Sequence, residues 1–324
     1  MEPLRKEPVA VSMPPSIEGP YRDAMREVLE LLKPLIGMKY DPKDERSLPL
    51  AAEEVSRRLS RPLSTLTKLS DTPNQIVPGA PNPKLDQAVS IIRQNLSDRV
   101  LLFTDSNDLA TDSLNRFRKM FPGRGHVVGY SGHILYVSPT GEEEKFTPRR
   151  YRDPETGRKT KRDEWKTHVL TKILGLGRSQ TDYDVLTCTL TGSYSVGQNL
   201  QSFPTVIHLD RDDWSSETMK QRTARAWRAG NQETVDEYTL DLVYPDAVAD
   251  DDADKTLDEI RRVIQEIDAN LFDRVVLDSQ VERLGEEWLS IKKQRSALHV
   301  IDRKMMERAL SPYASQLGKQ ETEV

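Results

Sequence analysis

An α/β fold, built on a mainly parallel sheet with helices on both faces, is what this sequence predicts. Short apolar segments such as Val100–Thr104 run without polar alternation, the mark of strands buried on both sides. Helical patterns separate them, as parallel connections require. The 324 residues can hold one large domain with elaborations, or two small ones. Only 36% of them are hydrophobic and 31% are charged, so the apolar residues must be concentrated in those segments.

Residues 1 to about 83 read as an entry strand followed by helices. The strand is Pro8-Val9-Ala10-Val11-Ser12-Met13-Pro14, and a helical pattern covers 21–32. Pro34, Pro42 and Pro49 are expected to break this region, and the loop 73–83 carries Pro-Gly and Asn-Pro punctuation. Leu59, Leu63, Leu66 and Leu69 recur at helical spacing, a core stripe more readily than a partner zipper.

Residues 84–245 alternate. A helix is expected over 84–95, a strand at Val100–Thr104, and a second helix over 108–121, capped in the Asp105-Ser106 region. His126–Tyr130, 185–190, 206–210 and Val235–Val243 are rich in β-branched residues and read as strands, with a helix from about Glu164 to Leu174 before the second. Between Tyr130 and that helix lies an insertion, about 136–165. Its Tyr136 to Gly141 start and its Asp153-Pro154-Glu155-Thr156-Gly157 turn suggest a β-hairpin-like protrusion. Residues 246–324 begin with an acidic linker (Asp246, Asp250, Asp251, Asp252, Asp254). An amphipathic helix carrying Leu257, Ile260, Ile264, Ile267, Leu271 and Val275 follows, and the tail 316–324 reads as disordered.

Charge is unevenly spread around a net of -5. Nine basic residues lie between Lys145 and Lys166, among them Arg149, Arg150, Arg158 and Lys161, against four acidic ones. Phe146 and Tyr151 interleave with them, and such a segment on an otherwise acidic protein is suited to neutralising nucleic-acid phosphates. An exposed charged hairpin, or one docked on an acidic protein, is the bland alternative. The acidic linker lacks the glycine and spaced oxygen ligands of a calcium loop. One cysteine, Cys188, excludes an intrachain disulfide, and five histidines without paired spacing give no metal site. No apolar run reaches the roughly 18 residues of a membrane span, and no signal-peptide core opens the chain, so a cytoplasmic location is expected.

The segment Gln221-Arg222-Thr223-Ala224-Arg225-Ala226-Trp227-Arg228-Ala229-Gly230 carries the functional signal. Spacings of four and three put Gln221, Arg225 and Arg228 on one face of a helix. Two guanidiniums there make a rigid, always-charged fork suited to a triphosphate. Taken alone, the stretch could also be an arginine-rich surface helix.

Its company narrows the reading. The segment resembles motif VI of superfamily-two helicases and translocases of the Swi/Snf-type branch, Q-x-x-x-R-A-H-R-x-G-Q. Gly197-Gln198-Asn199-Leu200 through Val206-Ile207-His208-Leu209-Asp210, with Trp214 beyond, is similar to motif V and its following strand. Arg99-Val100-Leu101-Leu102-Phe103-Thr104 resembles motif IV, and Thr256-Leu257-Asp258-Glu259 the start of the brace helix. The likeness covers roughly half the chain and implies a second RecA-like lobe with helical N- and C-terminal extensions.

Departures accompany it. Trp227 stands for His, Asn231 for Gln, and Tyr194 and Ser195 for glycines. No G-x-x-x-x-G-K-[ST] loop and no D-E-x-[HD] strand occurs, although Met1 reads as a genuine start. The resemblance therefore implies a nucleic-acid-dependent ATPase lobe, inactive alone and completed by a separate chain that brings ATP and Mg2+. Arg225 and Arg228 would be catalytic fingers, and Gln221 and Gly197 would shape the nucleotide cleft. Thr104 and Thr191 would touch the backbone of DNA, with RNA left open. The alternative is a catalytically inactive, helicase-like nucleic-acid-binding or structural protein.

Overall fold

The computed structural model describes residues 4–36, 49–148, 164–175, 183–194, 200–211, 216–227, 234–245, 255–262 and 265. The chain divides into two compact units. One comprises Met1–Val11, Asn82–Asp212 and Glu217–Asp241, and the other Ser12–Pro81, Asp213–Ser216 and Leu242–Val324.

The first unit is built on a sheet of eight strands: β1 (Leu4–Ser12), β2 (Val100–Thr104), β3 (His126–Tyr130), β4 (His133–Val137), β5 (Glu143–Phe146), β6 (Thr187–Thr191), β7 (Thr205–His208) and β8 (Val235–Val243). Their order is β1-β8-β7-β2-β6-β3-β4-β5. Pairs β7–β8, β2–β7, β2–β6 and β3–β6 are parallel, while β3–β4 and β4–β5 are antiparallel. The expected α/β class with a mainly parallel sheet is therefore what the chain adopts.

Both faces are covered, because alternate side chains of each strand point opposite ways. Leu101 and Phe103 of β2, Val127 of β3, Cys188 and Leu190 of β6 and Val206 of β7 share one face. Trp165, Val169, Leu170 and Ile173 of α5 (Glu164–Leu174) pack there. Val128 and Val137 occupy the other face with Ala110 and Leu114 of α4 (Asn107–Met120). Every residue of β2 is buried. Each such apolar side chain contributes about 1.5–3 kcal/mol of burial, so this strand anchors the unit.

Capping sets the helix starts. Ser106 accepts from the Leu109 N–H at 3.1 Å to begin α4, and Asn82 does the same for Leu85 at 3.1 Å to begin α3 (Pro83–Gln94). Pro83 follows Asn82 at the one helical position where its missing N–H costs nothing. Gly125 is required for a different reason: a Cβ there would lie 1.8 Å from the Asp184 carbonyl oxygen.

The insertion departs from expectation at its start. Ser131 (φ 45°) and Gly132 (φ 81°) both adopt left-handed backbone, closing a two-residue hairpin between β3 and β4. Strand β4 thus begins at His133, ahead of Tyr136, and the second turn lies at Ser138 to Gly141. The turn expected at 153–157 lies outside the described residues.

In the second unit α1 (Pro15–Ile36) is longer than its sequence pattern, and runs past Pro34 instead of ending there. Ile17, Tyr21, Ala24, Met25 and Val28 form its buried stripe, and packing of that stripe outweighs a lost helical hydrogen bond. Pro49 likewise starts α2 (Pro49–Asp71) instead of interrupting it. Leu59, Leu66 and Leu69 of α2 are buried and Leu63 half-buried, as a core stripe requires. Thr256 and Glu259 cap the helical turn at 257–262 reciprocally: the Thr256 N–H donates to Glu259 Oε2 at 2.8 Å, and the Glu259 N–H to Thr256 Oγ1 at 3.3 Å. Asp258 accepts from the Leu242 N–H at 3.0 Å and the Ser70 hydroxyl at 2.9 Å, tying this turn to α2 and to Leu242 within the same unit. The remainder of the expected amphipathic helix, the acidic linker and the tail fall outside the described residues.

Candidate functional site: the carboxyl rim of the sheet

Open parallel sheets present their functional groups where strands end and loops begin. Here β2 ends at Thr104, β6 at Thr191, and β7 is followed by Asp210 and Arg211. The register pairs Thr104 with Thr191, so the two threonines are level on adjacent strands. Both hydroxyls are engaged internally. Thr104 donates to Asp210 Oδ2 and accepts from the Ser106 N–H at 3.0 Å, and its side chain is fully buried. Thr191 donates to the Gly129 carbonyl at 3.1 Å and lies 3.5 Å from Asn107 Oδ1. Contact with a phosphate would require either threonine to exchange these partners.

Asp210 is the hub of the rim. It also accepts from the Asp105 N–H, at 3.2 and 3.0 Å to its two oxygens. Burial, then the neighbouring Asp105 carboxylate, push its pKa up, opposed by the Thr104 hydroxyl, the Lys84 charge and the Asp105 N–H. Asp105 in turn receives Arg222 Nη2 of α6 (Ser216–Ala226). The Arg222 guanidinium also lies over the Phe103 ring, 5.9 Å from its centroid. Arg211 and Asp241 form a buried bidentate pair (2.5 and 2.8 Å) between the end of β7 and β8.

Beneath α6 sits a second polar group. His208 stacks on Phe103 with centroids 5.6 Å apart, and its Nε2 lies 3.1 Å from both Thr223 Oγ1 and Glu237 Oε1. The Thr223 hydroxyl donates to Glu237 Oε1 at 2.6 Å, and Lys6 Nζ of β1 is 3.6 Å from Oε2. Burial opposes the charged form of Glu237, but the hydrogen bonds and charges of His208, Thr223 and Lys6 outweigh it and hold its pKa at about 2.

These contacts fix which way α6 faces. Met219, Arg222, Thr223 and Ala226 are buried, at the i, i+3, i+4, i+7 spacing of one stripe. Gln221 is exposed and Arg225 half-buried on the outward side. Among the described residues no carboxylate pairs with the Arg225 guanidinium, while its carbonyl accepts from the Leu200 N–H at 3.1 Å. Arg228, Gly197, Arg149, Arg150, Arg158 and Lys161 lie outside the described residues.

The expected face of α6 was legible from spacing; its opposite, buried face was not. Arg222, Thr223, Asp105, His208 and Glu237 are charged or polar, and pattern reading assigns such residues to solvent. Asp210 alone carried a signal, as the last residue of the motif V resemblance. Tyr194, in place of a glycine, packs edge-to-face on Trp165 at 6.3 Å, and a Cβ at Gly129 would be 3.0 Å from its ring. Burial pushes the Cys188 thiol up, so it is packed core and not a nucleophile. Among the described residues, no three His, Cys, Asp or Glu side chains are grouped to hold a metal ion, and no helix is long and apolar enough to cross a membrane. The described part of the rim thus carries positioned charge.

No protein-family model matches the chain, and no curated protein matches it either. Solved structures similar to it include the C-terminal part of the Fun30 ATPase domain, at 14% identity and TM-score 0.45 over 82% of this chain and 98% of that one. The C-terminal domain of a Sulfolobus solfataricus SWI2/SNF2 ATPase follows at 16% and 0.44, over 84% and 90%. The ATPase core of the Sulfolobus solfataricus SWI2/SNF2 protein in complex with double-stranded DNA is 19% identical with TM-score 0.46. The match covers 92% of this chain and 49% of that one, so the present chain spans about half of that protein's length.

Proposed function

We propose that this chain is the second motor lobe of a nucleic-acid-dependent ATPase of the helicase and translocase class, acting on a nucleotide held by a first lobe on a separate chain. The observation that carries the reading is convergence. The segments resembling motifs IV, V and VI are far apart in sequence, yet Thr104–Asp210 and Asp105–Arg222 link them at one rim. No phosphate loop or magnesium strand occurs in these residues, so ATP and Mg2+ would come with the partner lobe.

In this mechanism the chain contributes electrostatics. Arg225, directed away from the sheet by the buried face of α6, and with it Arg228 would enter the partner's cleft and stabilise charge on the transferring phosphoryl group. Gln221 and Gly197 would help shape the same cleft. Thr104 and Thr191 would act at the nucleic-acid side, after exchanging their internal bonds. The basic segment supplies phosphate contacts. Its stems support this: β5 runs parallel to β3, so Phe146 ends at the carboxyl rim, and at its other end Lys166 lies 4.6 Å from the Tyr194 ring, just beyond β6. DNA is the proposed partner, with RNA as the second candidate, and the cytoplasm the proposed location.

A second reading, a non-hydrolysing nucleic-acid-binding protein, is favoured by one observation. Tyr194 fills with a core aromatic ring a position where the family resemblance has glycine for close approach to nucleotide. Steady-state ATPase measurements separate the two. The chain alone should be inactive. With a chain carrying the phosphate loop and magnesium strand supplied, Arg225→Ala or Arg228→Ala should lower kcat by roughly 10³ or more. Unchanged kcat in both variants would remove the finger assignment, and hydrolysis by the chain alone would remove the division of labour.

A further inference from the structure

The row of residues at the carboxyl rim does not stop at the threonines. Tyr130 is the register neighbour beyond Gly129–Leu190, which places it level with Thr191, and it pairs with His133 across the β3–β4 hairpin. Strand alternation puts Thr104, Thr191, Tyr130 and His133 on one face, the face of α4. The first two are sealed in, whereas Tyr130 and His133 are half-buried beside the exposed turn Ser131-Gly132. Their ring centroids are 4.4 Å apart with an interplanar angle of 58°. Lys145 on β5 shares that face, because it is in register with Leu135, and it is exposed. Burial, then the Lys145 charge, lower the pKa of His133, with a backbone hydrogen bond at Ser131 opposing, which favours a neutral ring suited to stacking.

We propose that Tyr130 and His133 form a stacking platform for an unpaired nucleobase, with Lys145 neutralising the adjoining phosphate. This rests on the reading of the rim as a nucleic-acid edge and adds a base contact to it. Two aromatic rings held by a tight turn, with one cation beside them, match the combination that binds single strands without sequence readout: a π-face for the base and a charge for the backbone. A base paired within a duplex interior presents no free face to such a platform. The preferred ligand is therefore a single strand, a frayed end or a gap.

Fluorescence anisotropy of the full chain with a labelled single-stranded oligonucleotide, the blunt duplex of the same sequence, and the same single strand made abasic tests this directly. Wild-type protein should bind the intact strand more tightly than the abasic one. Tyr130→Ala and His133→Ala should each weaken intact-strand binding by about 5- to 100-fold, the range for loss of one stacked base. Tyr130→Phe should retain it, and duplex affinity should be unchanged in all variants. Because Tyr130 also packs toward Leu114 and Val128, His133→Ala and the abasic comparison on wild-type protein decide the matter if Tyr130→Ala fails to fold. Equal affinity of wild type for intact and abasic strands, or equal losses on duplex and single strand in the variants, overturns the platform. Binding of duplex alone overturns the platform and leaves the motor-lobe reading standing; binding of neither ligand overturns both.

Discussion

Glu237→Gln isolates the electrostatics beneath α6. The carboxylate is held at about 2 against an ordinary glutamate value of 4.5. With each pKa unit equivalent to about 1.4 kcal/mol, the ionised form contributes about 3 kcal/mol of stability at pH 7. The sign follows from the depressed pKa. The contribution is complete above the unfolded-state value, and is lost as pH falls from about 4.5 through about 2. Glutamine resembles the protonated acid in shape and keeps an acceptor for Thr223, so it removes charge with little change in volume. Urea unfolding of wild type and variant at several pH values should show a difference of about 3 kcal/mol at neutral pH, shrinking to about half or less near pH 3. A difference that stays constant across that range would mean the loss is steric. No difference at pH 7 would mean that His208, Thr223 and Lys6 do not favour the anion, and the account of how α6 is seated would fail.

Two other perturbations test separate links. Gly125→Ala should destabilise the first unit by about 1–3 kcal/mol or more, since the new Cβ meets a backbone carbonyl that cannot rotate aside; a thermal midpoint equal to wild type would show that the β3 entry yields freely. Replacing Arg149, Arg150, Arg158 and Lys161 together by alanine should make the log K against log salt slope for duplex DNA shallower by about two to four, with an unchanged circular dichroism spectrum. An unaltered slope and affinity would turn the basic segment into a protein-docking element.

Much of the fold was legible because its elements obey a single period. His126–Tyr130, Glu164–Leu174 and Val235–Val243 have the bounds their patterns indicate, since burial on one or both faces writes itself into the order of apolar residues. The β3–β4 turn was not legible: Ser131 adopts left-handed backbone without the Asn-Gly or Asp-Gly signal, and only the cross-strand pairing reveals the hairpin. Nor was the extension of α1 past Pro34, where tertiary packing overrides a local penalty. At the rim, spacing put Gln221 and Arg225 on one helix face, while the contacts that turn that face outward belong to Arg222 and Thr223. Polar residues buried against polar partners leave no mark in a hydrophobic pattern, because each looks solvent-exposed until its partner is known.

The stems of the basic segment have a consequence for how such a chain varies. Phe146 leaves the sheet and α5 returns to it at the same rim, with β4 and β5 completing the hydrogen bonding on the near side. The span between them can lengthen or shorten without shifting any strand's register. Doubling a flexible loop costs only about 0.6 kcal/mol of closure entropy. On the proposed reading of this span as a phosphate contact, changes in its length and charge would alter nucleic-acid affinity while leaving the core residues untouched.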